Sequence, residues 1–201
     1  PQLRRAVELA PKDADNQLWL GIGLERSGAL EEAVEAYKAA AAAAPGRPDA
    51  HEHLALLYAG NSRCDLAVPV FEKAVAAAPK VSRYRLGLAD CKVRMKKYDD
   101  ALKVYREVLK QDPEEVAVHY RLARAVHEAQ GARAAFPFYE KAAEADRTNA
   151  MPHYYLGFAY KERGQKQKAV AEFRKFLELK PDADEKKDIE TEIEDLGGAG
   201  R

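Results

Sequence analysis

The sequence predicts an all-α fold in which one helical hairpin is repeated five times. The first observation is a fixed step. Leu20, Leu54, Leu88, Leu122 and Leu156 follow one another at intervals of 34 residues. Thirteen residues after each comes Ala33, Ala67, Ala101, Ala135 or Ala169, and four further on an aromatic: Tyr37, Phe71, Tyr105, Tyr139 or Phe173. The residue after each Leu is small: Gly21, Ala55, Ala89, Ala123 and Gly157. The second observation is helical periodicity within the step. Between Ala150 and Pro181, Leu156, Gly157 and Tyr160 share one side before Gly164, and Ala169, Phe173, Phe176 and Leu177 share one face after it. The third is punctuation: Pro45, Pro79, Pro113 and Pro181 each stop a second helix, because Pro has no N–H and disfavours helical geometry just before it.

Taken in order, residues 1–13 place Leu3, Ala6 and Pro11 in phase and read as the tail helix of a truncated preceding repeat. The opening reads as a helix already under way, so a fragment of a longer protein is expected, with any targeting signal missing from it. Five repeats follow at 14–47, 48–81, 82–115, 116–149 and 150–183. Gly28 and Gly164 fall at turns between helices, where positive φ is cheap for Gly. In the third repeat Arg85 and Lys92 make the first helix the most polar, and that repeat is expected to be the least stable. Leu86-Gly87 competes there with Leu88-Ala89 for the Leu-small position, and the unbroken step favours Leu88-Ala89. Arg147 stands in place of the terminal Pro in the fourth repeat, so a looser link is expected. Pro69 and Pro137 sit about four residues into their second helices, which suggests the end of a first turn, or else a mild kink. Residues 184–196 read as a charged C-terminal capping helix, and 197–201 as a flexible tail.

This pattern of an early Leu-Gly, a central Ala, an aromatic and a terminal Pro on a 34-residue period resembles the tetratricopeptide repeat family. The resemblance covers essentially the whole chain. It implies a right-handed superhelical solenoid of helix-turn-helix tetratricopeptide repeats, with the first helix of each lining a concave face. The small residue after Leu and the central Ala mark close helix approach, and the aromatic fills the space toward the neighbouring repeat.

Composition narrows the function. Hydrophobic residues are 47% and charged residues 33%, enough for a core beneath a well-solvated surface. The formal net charge is +0, which argues against diffuse attraction to nucleic acid or an anionic membrane. No apolar run approaches the roughly 20 residues of a membrane span. Cys64 and Cys91 are too few for a disulfide framework. Cys91 reads as core, and Cys64, near a turn, as an exposed thiol without an activating neighbour. His51, His119 and His153 share one repeat position on successive helices, roughly 10 Å or more apart, too far to ligate one metal at about 2 Å. Half-buried packing is the better reading of them. No phosphate loop, nucleophile elbow or HExxH pattern occurs. The expectation is a chain that is not an enzyme and takes no cofactor or metal.

Function then rests on surface. In the family, several first-helix positions tend to point into the groove. The first two repeats place Asp15, Leu18, Trp19, Ile22, Glu25, Asp49, Glu52, His53 and Leu56 there. The later ones place Arg83, Arg94, Tyr120, Arg121, Arg124, His127, Tyr154, Tyr155, Phe158 and Lys161, with Met151. Tyr and Arg supply rigid contact area and a forked donor, so this set is the candidate partner-binding groove for a protein or extended peptide, with an acidic or aromatic segment favoured. The plainer reading has Met151, Tyr154, Tyr155 and Phe158 packing on the capping helix, Arg121 and Arg124 forming a solvated face or pairing with Asp90 and Glu128, and Leu18, Trp19 and Ile22 lying on a face open only through truncation. The Lys and Asn of a chaperone-type carboxylate clamp are absent from the corresponding pairs, including Tyr120/Arg124 and Tyr154/Phe158. A small GTPase is among the partners the resemblance allows. The Ala- and Arg-rich wording resembles that of bacterial modules in envelope, pilus or polarity machinery, cytoplasmic rather than periplasmic. Two other readings stand: a spacer of a longer solenoid, self-associating through its N-terminal end, and the regulatory arm of an enzyme whose catalytic domain lies elsewhere.

Overall fold

Ala-rich amphipathic segments broken at regular turns leave the chain little choice but helices. The computed structural model describes residues 2–198, with twelve α-helices and no strand among them. They are α1 (Gln2–Leu9), α2 (Ala14–Arg26), α3 (Leu30–Ala43), α4 (Pro48–Gly60), α5 (Cys64–Ala77), α6 (Ser82–Arg94) and α7 (Tyr98–Gln111), then α8 (Val116–Gln130), α9 (Ala132–Ala145), α10 (Ala150–Glu162), α11 (Lys166–Leu179) and α12 (Lys186–Asp195). The chain forms two compact units, 1–111 and 112–201. In the first, α2, α4 and α6 each pair with the following helix, and α3 packs on α4 and α5 on α6. In the second, α8 pairs with α9 and α10 with α11, α9 packs on α10, and α12 lies against α11.

Side chains and backbone geometry fix the helix ends. Asp13 Oδ1 accepts from the Asn16 N–H at 2.8 Å and Asn149 Oδ1 from the Met151 N–H at 3.0 Å, satisfying first-turn donors of α2 and α10. Four of the hairpin turns share one motif: a residue of positive φ, then an N–H bonded back five residues. The bonds run from Ala29 to Leu24, Arg63 to Tyr58, Lys97 to Lys92 and Gln165 to Tyr160. Gly28 and Gly164 occupy the positive-φ position in two of them, but Ser62 (φ 61) and Lys96 (φ 59) occupy it in the others. In the fourth hairpin α8 runs on to Gln130, and Gly131 alone makes the turn, at φ 86.

The repeated Ala and aromatic positions form the core. All five Ala, from Ala33 to Ala169, are 0% exposed, and the five aromatics are buried with them. A Cβ on Gly21 would stand 2.5 Å from the Tyr37 ring of its own hairpin, and one on Gly157 would strike Phe173. The ring also reaches the following hairpin: Tyr37 stacks on His53 (centroids 5.4 Å apart), and a Cβ on Gly87 would meet Phe71 at 2.5 Å. Gly87 thus has a packing duty of its own, separate from that of Leu88-Ala89.

Several expectations are corrected. Cys64 is not an exposed thiol. It opens α5 at 4% exposure, covered by the cluster of Ala55, Ala67, Phe71 and Leu88. Leu18 is buried against the first core rather than lying on an open face. Pro69 and Pro137 are the sixth residues of α5 and α9, past the first turn. Both are exposed, so the carbonyls they leave unbonded lie on the water side of their helices. The link after α9, which lacks the terminal Pro, is closed by Asp146 Oδ1, which accepts from the Thr148 N–H at 3.0 Å and its hydroxyl at 2.7 Å. Part of the expected tail is structured: Gly197 (φ 81) lets the Gly198 N–H bond Ile193 O at 2.8 Å and cap α12. Residues 199–201 of that tail lie outside the described residues.

Candidate functional site

In the second unit the side chains predicted for a groove converge on Tyr139, a core residue of α9. Tyr155 of α10 stacks on its ring at 4.7 Å with a 9° interplanar angle. His127 of α8 meets it edge-on at 5.9 Å, and its Nδ1 shares a 3.0 Å hydrogen bond with the Tyr139 hydroxyl. Tyr120 lies 6.4 Å away, tilted. The aromatic run continues along α10: Tyr155 contacts Tyr154 at 5.3 Å, Tyr154 contacts Phe158 at 5.0 Å and Phe176 at 5.3 Å, and Phe158 contacts Phe173 at 5.0 Å. Offset and edge-to-face rings attract beyond their buried area, so the series is one packed surface.

Charge is organised around it. Arg124 Nη2 pairs with Glu128 Oε1 at 2.6 Å one turn along α8, and its side chain is about half exposed. Burial, and then the neighbouring Tyr155 hydroxyl, push the Tyr120 hydroxyl up to about 12, so it is a neutral donor at ordinary pH. Lys161 pairs with Glu192 of α12, and Tyr154 and Phe158 pack on the cluster that contains Ile189 and Ile193 of that helix. Of the capping contacts weighed from sequence, Met151, Tyr154 and Phe158 therefore pack on this cluster, and Lys161 adds an ion pair to α12. Tyr155 and His127 are held by Tyr139. Tyr120, Arg121 and Arg124 are the groove candidates of α8 that these α12 contacts leave aside.

In the first unit the predicted cations join neighbouring hairpins. Arg83 Nε donates to Glu52 Oε1 at 2.6 Å and its Nη2 to Glu52 Oε2 at 3.0 Å, while the guanidinium lies 4.8 Å from the Tyr84 ring centroid. Arg94 donates to the Ala59 carbonyl and, at 3.0 Å, to Ser62 Oγ, closing over the end of α4. Arg47 bridges Asp15 and Asp49, each at 2.6 Å. Beside these pairs Trp19 is 58% exposed and Leu56 50% exposed.

Sequence reasoning assigned Tyr139 to the core alone. The available signal was its hydroxyl, because Phe71 and Phe173 occupy the same repeat position without one. Tyr37 uses the same atom to donate to Glu25 Oε2 at 2.5 Å. Among the described residues no cluster of three or more His, Cys, Asp or Glu could hold a metal ion, and no helix is long and apolar enough to cross a membrane.

Comparisons with known proteins agree with this fold. Family models described as tetratricopeptide repeat match residues 1–48 and 92–150, residues 58–119, and residues 138–171. No curated protein sequence matches the chain. Among solved structures it is similar to YrrB, described as a TPR protein with an unusual peptide-binding site, at 18% identity and a TM-score of 0.71, over 95% of this chain and 98% of that one. It is also similar to MamA (41-end) from Desulfovibrio magneticus RS-1, at 23% identity and a TM-score of 0.73, over 85% and 97%. PilF of Pseudomonas aeruginosa aligns at 18% identity and a TM-score of 0.70, over 93% of each chain. At such identities the likeness is one of fold.

Proposed function

The chain belongs to the tetratricopeptide repeat family, and from that premise we propose that it is a non-enzymatic scaffold which binds a partner protein or extended peptide on the first-helix face of its second unit. One observation carries the reading. Tyr120 and Arg124 stand together on α8 beside the packed Tyr139–Tyr155 stack, and Arg124 is half exposed with its charge held by a single carboxylate, Glu128. A ligand carboxylate can replace Glu128 on the guanidinium fork while a ligand aromatic lies against Tyr120. An acidic peptide with an aromatic residue is therefore the favoured ligand. The description of YrrB as a TPR protein with a peptide-binding site supports a peptide as the ligand class. A bacterial setting in envelope, pilus or polarity machinery, on the cytoplasmic side, rests on the wording of the sequence.

The test is selection from a displayed library of extended peptides, with wild type beside the Tyr120→Ala/Arg124→Ala variant and circular dichroism on both. Enrichment of acidic, aromatic peptides by wild type and its loss in the folded variant is expected. Equal enrichment by both would remove this face from consideration.

A second reading is self-association through the first unit, favoured by exposed Leu9 (72%) on α1 and by Trp19. Light scattering over a concentration series, with Trp19→Ala as control, distinguishes it: a mass that stays monomeric excludes it.

A further inference from the structure

Cys64 is the first residue of α5 and Cys91 lies in the third turn of α6, so the two thiols belong to consecutive hairpins. Their Sγ atoms are 2.6 Å apart, and the side chains are 4% and 1% exposed. A disulfide places its sulfurs at about 2.05 Å, so bonding needs little movement of either helix. The surroundings are apolar: Ala55, Ala67, Phe71 and Leu88, with Tyr58, Val68, Val70, Met95 and Val104 packed against them. The charged groups that face the pair are Asp90 and Arg94. Burial, and then the neighbouring Cys64, push the Cys91 thiol up to about 12.

We infer that Cys64 and Cys91 are a reversible oxidation site, which hydrogen peroxide converts to an intramolecular disulfide joining α5 to α6. Peroxide is small enough to enter a site this closed. The Cys64 sulfur attacks one peroxide oxygen and the O–O bond breaks. The departing oxygen leaves as water with the thiol proton, and Cys64 becomes a sulfenic acid. The Cys91 sulfur then attacks Cys64 Sγ, the S–O bond breaks, and a second water leaves with the Cys91 proton. Peroxide gains two electrons and the thiol pair loses two. Packing, with the Arg83–Glu52 pair and the Arg94 bonds to Ala59 and Ser62, joins these hairpins otherwise, and repeat proteins depend on such nearest-neighbour interfaces. The bond therefore locks the boundary between the second and third repeats.

The test uses the reduced chain, treated with hydrogen peroxide, quenched with iodoacetamide and weighed intact. The expected product is about 2 Da lighter than the reduced chain, takes up no alkyl group and is restored by dithiothreitol. Trypsin should release a linked pair of peptides, Cys64–Lys73 with Leu86–Lys92. Closing this loop should raise Tm by about 5–10 °C. The rise should vanish in Cys64→Ala/Cys91→Ala. That variant should fold, because Ala132 and Ala125 fill the same repeat positions in the fourth hairpin. Thiols that stay reduced while the urea-unfolded chain oxidises would overturn the inference. Sulfinic acid (about 32 Da heavier) or disulfide-linked dimers as the main product would overturn it equally.

Discussion

His51 Nε2 lies 3.3 Å from the carbonyl oxygen of Pro45, six residues earlier in the chain. Gln17 Nε2 makes the same contact with the Pro11 carbonyl at 3.0 Å, and Arg85 Nη1 with the Pro79 carbonyl. One first-helix position thus latches the link that precedes it in three consecutive hairpins, with three different donors. This alters the meaning of Arg85, which from sequence reads as a polar weakness in the third repeat. Its buried guanidinium occupies the latch. Arg85→Ala should lower stability by about 1–3 kcal/mol, because the Pro79 carbonyl loses its charged donor. Arg85→Gln, copying Gln17, should recover part of the loss. Urea unfolding followed by circular dichroism checks both, and a neutral Arg85→Ala would show that the latch contributes nothing.

Lys96 adopts φ 59 at a turn where two other hairpins use Gly. A left-handed conformation costs a residue with a Cβ about 1–2 kcal/mol, and part of that is offset by the greater freedom Gly has when unfolded. Lys96→Gly should therefore stabilise by about 0.5–1 kcal/mol. Gly164→Ala, the reverse change in the last hairpin, should destabilise by about 1 kcal/mol. Denaturant midpoints of the two variants should move in opposite directions.

Tyr139 is both a packing ring and a hydrogen-bonding group. Tyr139→Phe keeps the stack on Tyr155 but removes the bond to His127, and should cost about 0.5–1.5 kcal/mol. Tyr139→Ala removes the ring and should cost about 3–5 kcal/mol. Similar losses for the two variants in thermal melts would mean that the hydroxyl, not the ring, organises this face.

The Tyr37, Tyr120 and Tyr139 hydroxyls are all raised above the ordinary tyrosine range, burial being the first cause in each. The sign follows: the native state holds these protons more tightly than the unfolded state. Their contribution to stability is complete below about pH 10, where unfolded tyrosine titrates, and is lost as pH rises toward the folded values. Melting temperature should fall above pH 10, and the last phenolates to form should appear together with loss of helix. Phenolate formation by all ten tyrosines while the protein stays fully helical would contradict this.

Arg83 is 64% exposed where it pairs with Glu52. Exposed pairs contribute little, so Arg83→Ala should change stability by less than about 1 kcal/mol. Chemical denaturation of the variant checks this, and a larger loss would make the pair a structural tie.

The sequence by itself determined the helices, their phase and the core. Ala33 and Tyr37 and their counterparts must be small and aromatic because of local spacing and close helix approach, and a 34-residue period exposes such constraints directly. Tertiary structure decided the duties of polar side chains. Whether Arg83 reaches Glu52, Arg85 the Pro79 carbonyl or Lys161 Glu192 depends on long, flexible side chains finding partners on another helix, and a repeat position does not specify those partners. The same holds for Cys64 and Cys91. Each looked isolated in the chain, 27 residues apart, and only the stacking of α5 on α6 brings their sulfurs together.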